Sequence, residues 1–156
     1  MAVRKIRTDG DDILRMKCKP VKEVTASIQS LIGDMFETMY KAEGVGLAAP
    51  QIGILKRIVV IDDTRGNKLA LINPVITEAS GEQLSSEGCL SLPGYRGEVK
   101  RPQKIHVEAL DINGKPLSFD AEDFLAVICC HELDHLEGIL YKDKAEKYYR
   151  PEAEEE

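Results

Sequence analysis

Apolar residues recur at helical spacing through Ile28, Leu31, Ile32, Met35, Phe36, Met39 and Tyr40. Steps of three and four residues put them on one face. The pattern therefore predicts an amphipathic helix, capped at Thr25 or Ser27 and running to about Glu43. Gly44 and Gly46 then break the pattern. A shorter helical start is read at Asp11-Asp12 ahead of Ile13-Leu14, closed near Pro20. Ile58-Val59-Val60-Ile61 is a β-branched run and predicts a buried strand. Asp62-Asp63 and Gly66-Asn67 mark a turn, and Leu69 to Ile76 reads as the next strand, interrupted at Asn73-Pro74. Further strands are predicted at Val99–Arg101, Ile105–Leu110 and Leu117–Phe119. Asp111-Ile112-Asn113-Gly114 supplies a hairpin turn between the last two. A second long helix is expected from Ala121 or Asp123 to about Ile139. Its Phe124, Leu125, Val127, Ile128, Leu133 and Leu136 make it apolar enough to be central. Strands segregated from helices indicate an α+β domain.

Composition narrows this picture without changing it. The chain has 156 residues, a length suited to one core. Its 43% hydrophobic and 31% charged residues argue against both disorder and a membrane span. Met1 to Arg7 lacks the apolar centre of a secretory signal, and Asp9, Asp11 and Asp12 follow too soon for a transit peptide, so a cytoplasmic location is expected. A net charge of −6 argues against nucleic acid as a partner, a local basic patch aside. Part of that charge sits in Glu152, Glu154, Glu155 and Glu156. Residues 1–147 are accordingly read as one catalytic domain and 148–156 as an acidic, solvated tail. Cys18, Cys89, Cys129 and Cys130 are read as thiols, the adjacent pair as small buried hydrophobes.

The chemistry is concentrated in His131-Glu132-Leu133-Asp134-His135 on the second helix. Histidines four apart share a helical face and can grip one metal ion, and the glutamate between them can take a proton from water beside it. A third ligand is required. A histidine six residues further on is one common solution, but that position is Tyr141, and the later glutamates lie near or in the charged tail. Upstream, Cys89 in Glu87-Gly88-Cys89-Leu90-Ser91 is the best candidate, because a thiolate is stabilised beside a divalent cation. His106 falls in an alternating strand pattern and reads as a surface or packing residue. Gly44 to Gln51 is rich in glycine and alanine, which lets a substrate chain approach closely, and Gln51 is placed to donate to an oxyanion.

In this order and spacing, the three segments resemble the peptide deformylases. That family carries glycine, apolar, glycine, apolar, alanine, alanine, any residue, glutamine, as at Gly44 to Gln51. It also carries Glu-Gly-Cys-Leu-Ser, as at Glu87 to Ser91, and His-Glu-x-Asp-His-Leu-x-Gly, as at His131 to Gly138. The resemblance implies antiparallel sheets around a central metal-bearing helix, and removal of the formyl group from the N-terminal formylmethionine of new polypeptides. It implies Cys89, His131 and His135 as metal ligands and Glu132 as general acid and base. Gln51 and the Leu90 N–H are the implied oxyanion donors. Val45, Val127 and Ile128 are candidates for the wall of a methionine slot, with plain core packing an equal reading for each. Family members bind substrate as an added strand, which suits Gly44, Gly46 and Gly88. The donor set admits Zn, Ni or Co; the resemblance favours Fe(II). Nascent formylmethionyl polypeptides are the implied partners, with the ribosome near its exit tunnel as a further one. A monomer that does not enter membranes is expected.

The chain departs from the family at Cys130, where glutamine is usual. A helical neighbour of His131 lies about 100° around from it, so Cys130 is expected to be a buried thiol near the site and not a ligand. Two rivals remain: a zinc endopeptidase built on the same helix, and a non-catalytic peptide- or ribosome-binding protein.

Overall fold

The computed structural model describes residues 2–151. The first long helix, α1, spans Ala26–Lys41, with the Thr25 hydroxyl accepting from the Ile28 N–H. Of the predicted stripe, Ile28, Leu31, Ile32, Met35 and Met39 are buried. Each contributes roughly 1.5–3 kcal/mol of apolar burial before the entropy of ordering is set against it. Phe36 is half-buried, and Tyr40 lies outside the core at the edge of the stripe, donating to Asp62 at 2.6 Å.

Eight strands follow: β1 Gly46–Ala48, β2 Ile58–Asp62, β3 Lys68–Ser80, β4 Gln83–Cys89, β5 Leu92–Arg101, β6 Lys104–Leu110, β7 Pro116–Glu122 and β8 Ala145–Tyr149. They form a five-stranded sheet in the order β1-β2-β3-β6-β7 and a three-stranded sheet in the order β4-β5-β8. All named pairings are antiparallel. The second helix, α2, spans Asp123–His135.

The apolar run of β2 is buried on both faces. Ile58 and Val60 join Ile72 of β3 in the core beneath α1. Val59 and Ile61 join Leu71 in the core beneath α2. The strand period of two thus divides one run between two helices. A third, smaller core of Leu14, Leu92, Val99, Leu140 and Tyr141 serves the three-stranded sheet.

Several boundaries differ from the sequence reading. The short N-terminal helix is a 3-10 turn over Asp12–Arg15, ending well before Pro20. β3 continues past Ile76 to Ser80 as one strand, absorbing Asn73-Pro74 as a register shift between Ile72 and Val75. Asn73 there takes φ 54 and its amide pairs with the backbone N–H and C=O of Val21. α2 stops at His135, short of Ile139, because Gly138 adopts φ 76 against the Arg15 carbonyl. β8 crosses position 147, where the packed domain was expected to end: Tyr148 and Tyr149 pair with Gly97 and Arg96. The four tail glutamates lie outside the described residues.

Candidate active site

α2 carries His131, Glu132 and His135 into the interior, where all three are buried. Cys89 ends β4 at a tight corner, its Cα partner being Leu92 across the turn. One ligand atom each from Cys89, His131 and His135 lies within 4.8 Å of the other two. Cys89 Sγ is 3.4 Å from His135 Nε2. His131 Nδ1–H donates to Glu87 Oε1 at 2.9 Å, which leaves Nε2 as the nitrogen facing the cluster. Cys130 is not among the clustered groups. It is buried, and burial pushes its thiol up to about 11.

The Glu87 carboxylate is itself clamped. Arg101 donates Nε to one oxygen and Nη2 to the other, both at 2.8 Å, and the Ser85 hydroxyl donates at 2.5 Å. Arg101 Nη1 reaches on to Asp134 at 2.9 Å, and Lys144 joins Asp134 at 3.1 Å. Burial opposes ionisation of Glu87, yet Arg101 and His131 outweigh it and hold the carboxyl at about 2. Burial likewise opposes a charged His131, but the facing Cys89 and Glu87 hold its pKa well above the ordinary value. Burial, with His131 close by, holds His135 well below it.

Glu132 stands in a different environment. Burial pushes its carboxyl up to about 7, and Oε1 has no hydrogen-bond partner among the described residues. A Cβ at Gly46 would meet Glu132 Oε2 at 2.5 Å, and one at Gly44 would meet the Leu90 side chain at 2.7 Å. The glycines are what allow β1 to lie this close. Gln51 is fixed from both ends. Its Oε1 accepts from the Ala48 N–H at 2.9 Å, so its amide NH2 points toward Ser91 Oγ at 3.0 Å and Cys89 Sγ at 3.7 Å. The N-terminal segment locks this arrangement, with Arg7 N–H donating to Gln51 O and Asp9 N–H to Ser91 O.

These groups open onto a cavity of about 450 Å³. Its lining includes Gly44, Val45, Gly46, Gln51, Gly88, Cys89, Leu90, Val127, Ile128, His131 and Glu132, every predicted site residue except His135, which sits behind. His106 is remote from the cluster and bonds to Asp120 on the five-stranded sheet. Sequence reasoning missed the contact of Glu87 with His131, although Glu87 opens the Glu-Gly-Cys-Leu-Ser motif. It also missed Arg101, Phe124 as a cavity wall, and Tyr141, whose ring stacks 5.6 Å from that of His131. Only the glutamate carried a local signal.

A thiol and two imidazoles within reach of one centre suit a divalent ion of borderline softness. His135 Nδ1 and Glu132 Oε1 have no partners among the described residues, so the nearby polar capacity is not spent on protein contacts. An α+β domain with this donor set beside a buried carboxylate has the makings of a metallohydrolase. The sequence model for polypeptide deformylase matches residues 3–150. A peptide deformylase of Acetivibrio thermocellus is 55% identical over 148 residues, covering 95% of this chain and 86% of that protein. One from Thermoanaerobacter pseudethanolicus is 51% identical over 156 residues, covering 100% and 98%. The crystal structure of the Thermotoga maritima peptide deformylase superposes with a TM-score of 0.91 at 37% identity, covering 94% of this chain and all of that one. The chain belongs to the polypeptide deformylase family. It is a metal-dependent hydrolase that removes the N-formyl group from nascent polypeptides.

Proposed function

We propose that Cys89, His131 and His135 hold the metal ion and that Glu132 is the general acid and base. Gln51 and the Leu90 N–H then receive the oxyanion. The observation that carries this reading is the convergence of the three ligand atoms within 4.8 Å beside a buried carboxylate. When bound, the ion supplies Lewis-acid polarisation of the formyl oxygen and acidifies water at the site. Glu132, with its carboxyl pushed up to about 7 by burial and one oxygen without a hydrogen-bond partner among the described residues, accepts the proton of the attacking water and returns it to the departing amine. Gln51 Nε2 cannot turn away while Oε1 is held by Ala48, so it is preorganised to donate as charge develops on oxygen. Formate and a free N-terminus are the products.

Val45, Val127 and Ile128 form the apolar slot for the methionine side chain. β1 and β4 are edge strands of their sheets. Substrate backbone added between them would pass Gly44, Gly46 and Gly88, where small residues permit close approach. Fe(II) is the working ion, Zn, Ni and Co being alternatives the same donors accept. The enzyme acts as a single catalytic domain and a monomer in the cytoplasm, on formylmethionyl chains as they leave the ribosomal exit tunnel. No helix among the described residues is long and apolar enough to cross a membrane.

The test is formate release from a formylmethionyl peptide, measured beside cleavage of the unformylated peptide, on protein whose metal content has been determined. Formate release alone is expected. Glu132→Gln should retain the metal and lose turnover about a hundredfold or more. Internal cleavage, or near-normal turnover in that variant, overturns the assignment. Enzyme carrying Fe(II) should also lose activity in air faster than a nickel-loaded sample.

A further inference from the structure

The turn joining β2 to β3 contacts two residues of the cavity lining, Val45 and Phe124. Asp63 is buried, and its carboxylate accepts from the N–H groups of Arg65 and Asn67 at 2.8 and 3.0 Å and from Asn67 Nδ2 at 2.8 Å. Thr64 and Gly66 take φ 61 and φ 102, so the bonded turn has a defined shape. Its root is tied to one cavity wall, because Asp62 N–H donates to Val45 O at 2.9 Å. Its tip is tied to another: Arg65 Cζ lies 5.0 Å from the ring centroid of Phe124. Val45 and Phe124 both line the cavity. Phe124 is the second residue of α2, following Asp123, which takes φ 55.

We propose that Arg65 is a positioning residue for substrate selection: its guanidinium, seated on the Phe124 ring, holds that ring as a wall of the slot for the first side chain of the formylated substrate. This rests on the reading of the cavity as the deformylase site. A guanidinium is drawn to the face of an aromatic ring by the ring's quadrupole. The ring is thereby held between the cation and the cavity and offers a fixed wall. Without the cation the ring can swing outward, and the slot then admits broader side chains. Arg65 touches no reacting group, so its loss should fall on KM more than on kcat.

The experiment compares two formylated tripeptides that differ only in their first residue, methionine against phenylalanine, by formate release from the metal-loaded enzyme. Arg65→Ala should lower the methionine-to-phenylalanine ratio of kcat/KM by about three- to fivefold, the scale of an exposed cation–ring contact. The melting temperature should hold. Arg65→Lys should restore most of the ratio, and Arg65→Met, which keeps an apolar stem without charge, should not. An unchanged ratio in Arg65→Ala, or a wild-type ratio in Arg65→Met, overturns the proposal. So does an equal loss on both peptides with a lowered melting temperature, because the arginine would then only support the fold. Wild-type protein that released no formate from the methionyl peptide would overturn the site reading itself, a result distinct from a wild-type enzyme whose selectivity ignores Arg65.

Discussion

His131 and His106 each place Nδ1 within hydrogen-bonding distance of a carboxylate, at 2.9 Å from Glu87 and 2.7 Å from Asp120. The shorter contact is the less consequential. Asp120 is 58% exposed and His106 28%, so water and salt compete for both partners. Glu87 and His131 are buried beside Arg101, Ser85 and Cys89, with Arg101, itself held by Asp134, only 3% exposed. In that setting each group's orientation is set by the next. Arg101 fixes the carboxylate, the carboxylate fixes the imidazole, and the imidazole presents Nε2 to the ligand cluster. Surroundings, not contact length, separate a histidine built into the candidate metal cluster from one that decorates a sheet.

The largest test of this contrast removes the buried carboxylate's charge. Glu87→Gln keeps the shape but leaves Arg101 with Asp134 as its remaining anionic partner, and deprives His131 of its charged acceptor. Breaking a buried, hydrogen-bonded ion pair costs about 3–5 kcal/mol. Loss of a carboxylate that orients a metal-binding histidine weakens metal affinity about ten- to hundredfold. Both are expected, read from urea denaturation and metal titration. Wild-type values in both would reduce the Glu87–His131 contact to the standing of His106–Asp120 and break the comparison.

The same contrast explains what the sequence could disclose. α1 and β2 were readable because their burial is written in local periodicity, 3.6 residues for one and an unbroken β-branched run for the other. β4 was not: Gln83-Leu84-Ser85-Ser86-Glu87-Gly88-Cys89 is mostly polar, and its strand state depends on pairing with β5. β1 was missed because it is only three residues long, and β8 because it finds its partner some fifty residues upstream. Within the candidate site, Cys89, Gln51, His131, Glu132 and His135 could be named because ligand spacing and motif order are properties of the chain. Arg101 could not. A charged residue closing a strand normally faces water, and only the tertiary fold brings Glu87 and Asp134 to it. His106, read from its alternating pattern as a surface or packing residue, lies on β6 against Asp120 and not in the ligand cluster.

A smaller effect is expected at Cys130, beside the buried network but outside the ligand cluster. Cys130→Gln enlarges a buried side chain, and over-packing of that kind costs typically about 1–3 kcal/mol. Metal stoichiometry should nevertheless stay at one ion per chain, with substantial deformylation retained, because Cys89, His131 and His135 are untouched. Metal analysis and formate release check this. A variant that folds but has lost its metal would make Cys130 part of the ligand set, and the buried side of the comparison would have to be redrawn.

The smallest effect belongs to the exposed pair and can be isolated by pH. Asp120, opposed by some burial and aided by Glu108 and Glu78, raises the His106 pKa. The His106 contact lowers that of Asp120. A raised histidine pKa contributes stability that is fully present below its ordinary value of 6.5 and is lost as pH rises through the shifted value. A lowered aspartate pKa contributes stability present above its ordinary value of 3.8 and lost as pH falls through the shifted one. The pair therefore counts most between those ordinary values. His106→Asn should lower the melting temperature slightly at pH 5, at low salt, and converge on wild type as pH rises above neutrality. The difference should shrink with added salt, since both partners face water. Formate release should match wild type throughout. A salt-insensitive difference that persists above neutrality would mean that His106 acts through packing and not charge, and the exposed pair would then resemble the buried one more closely than its surroundings allow.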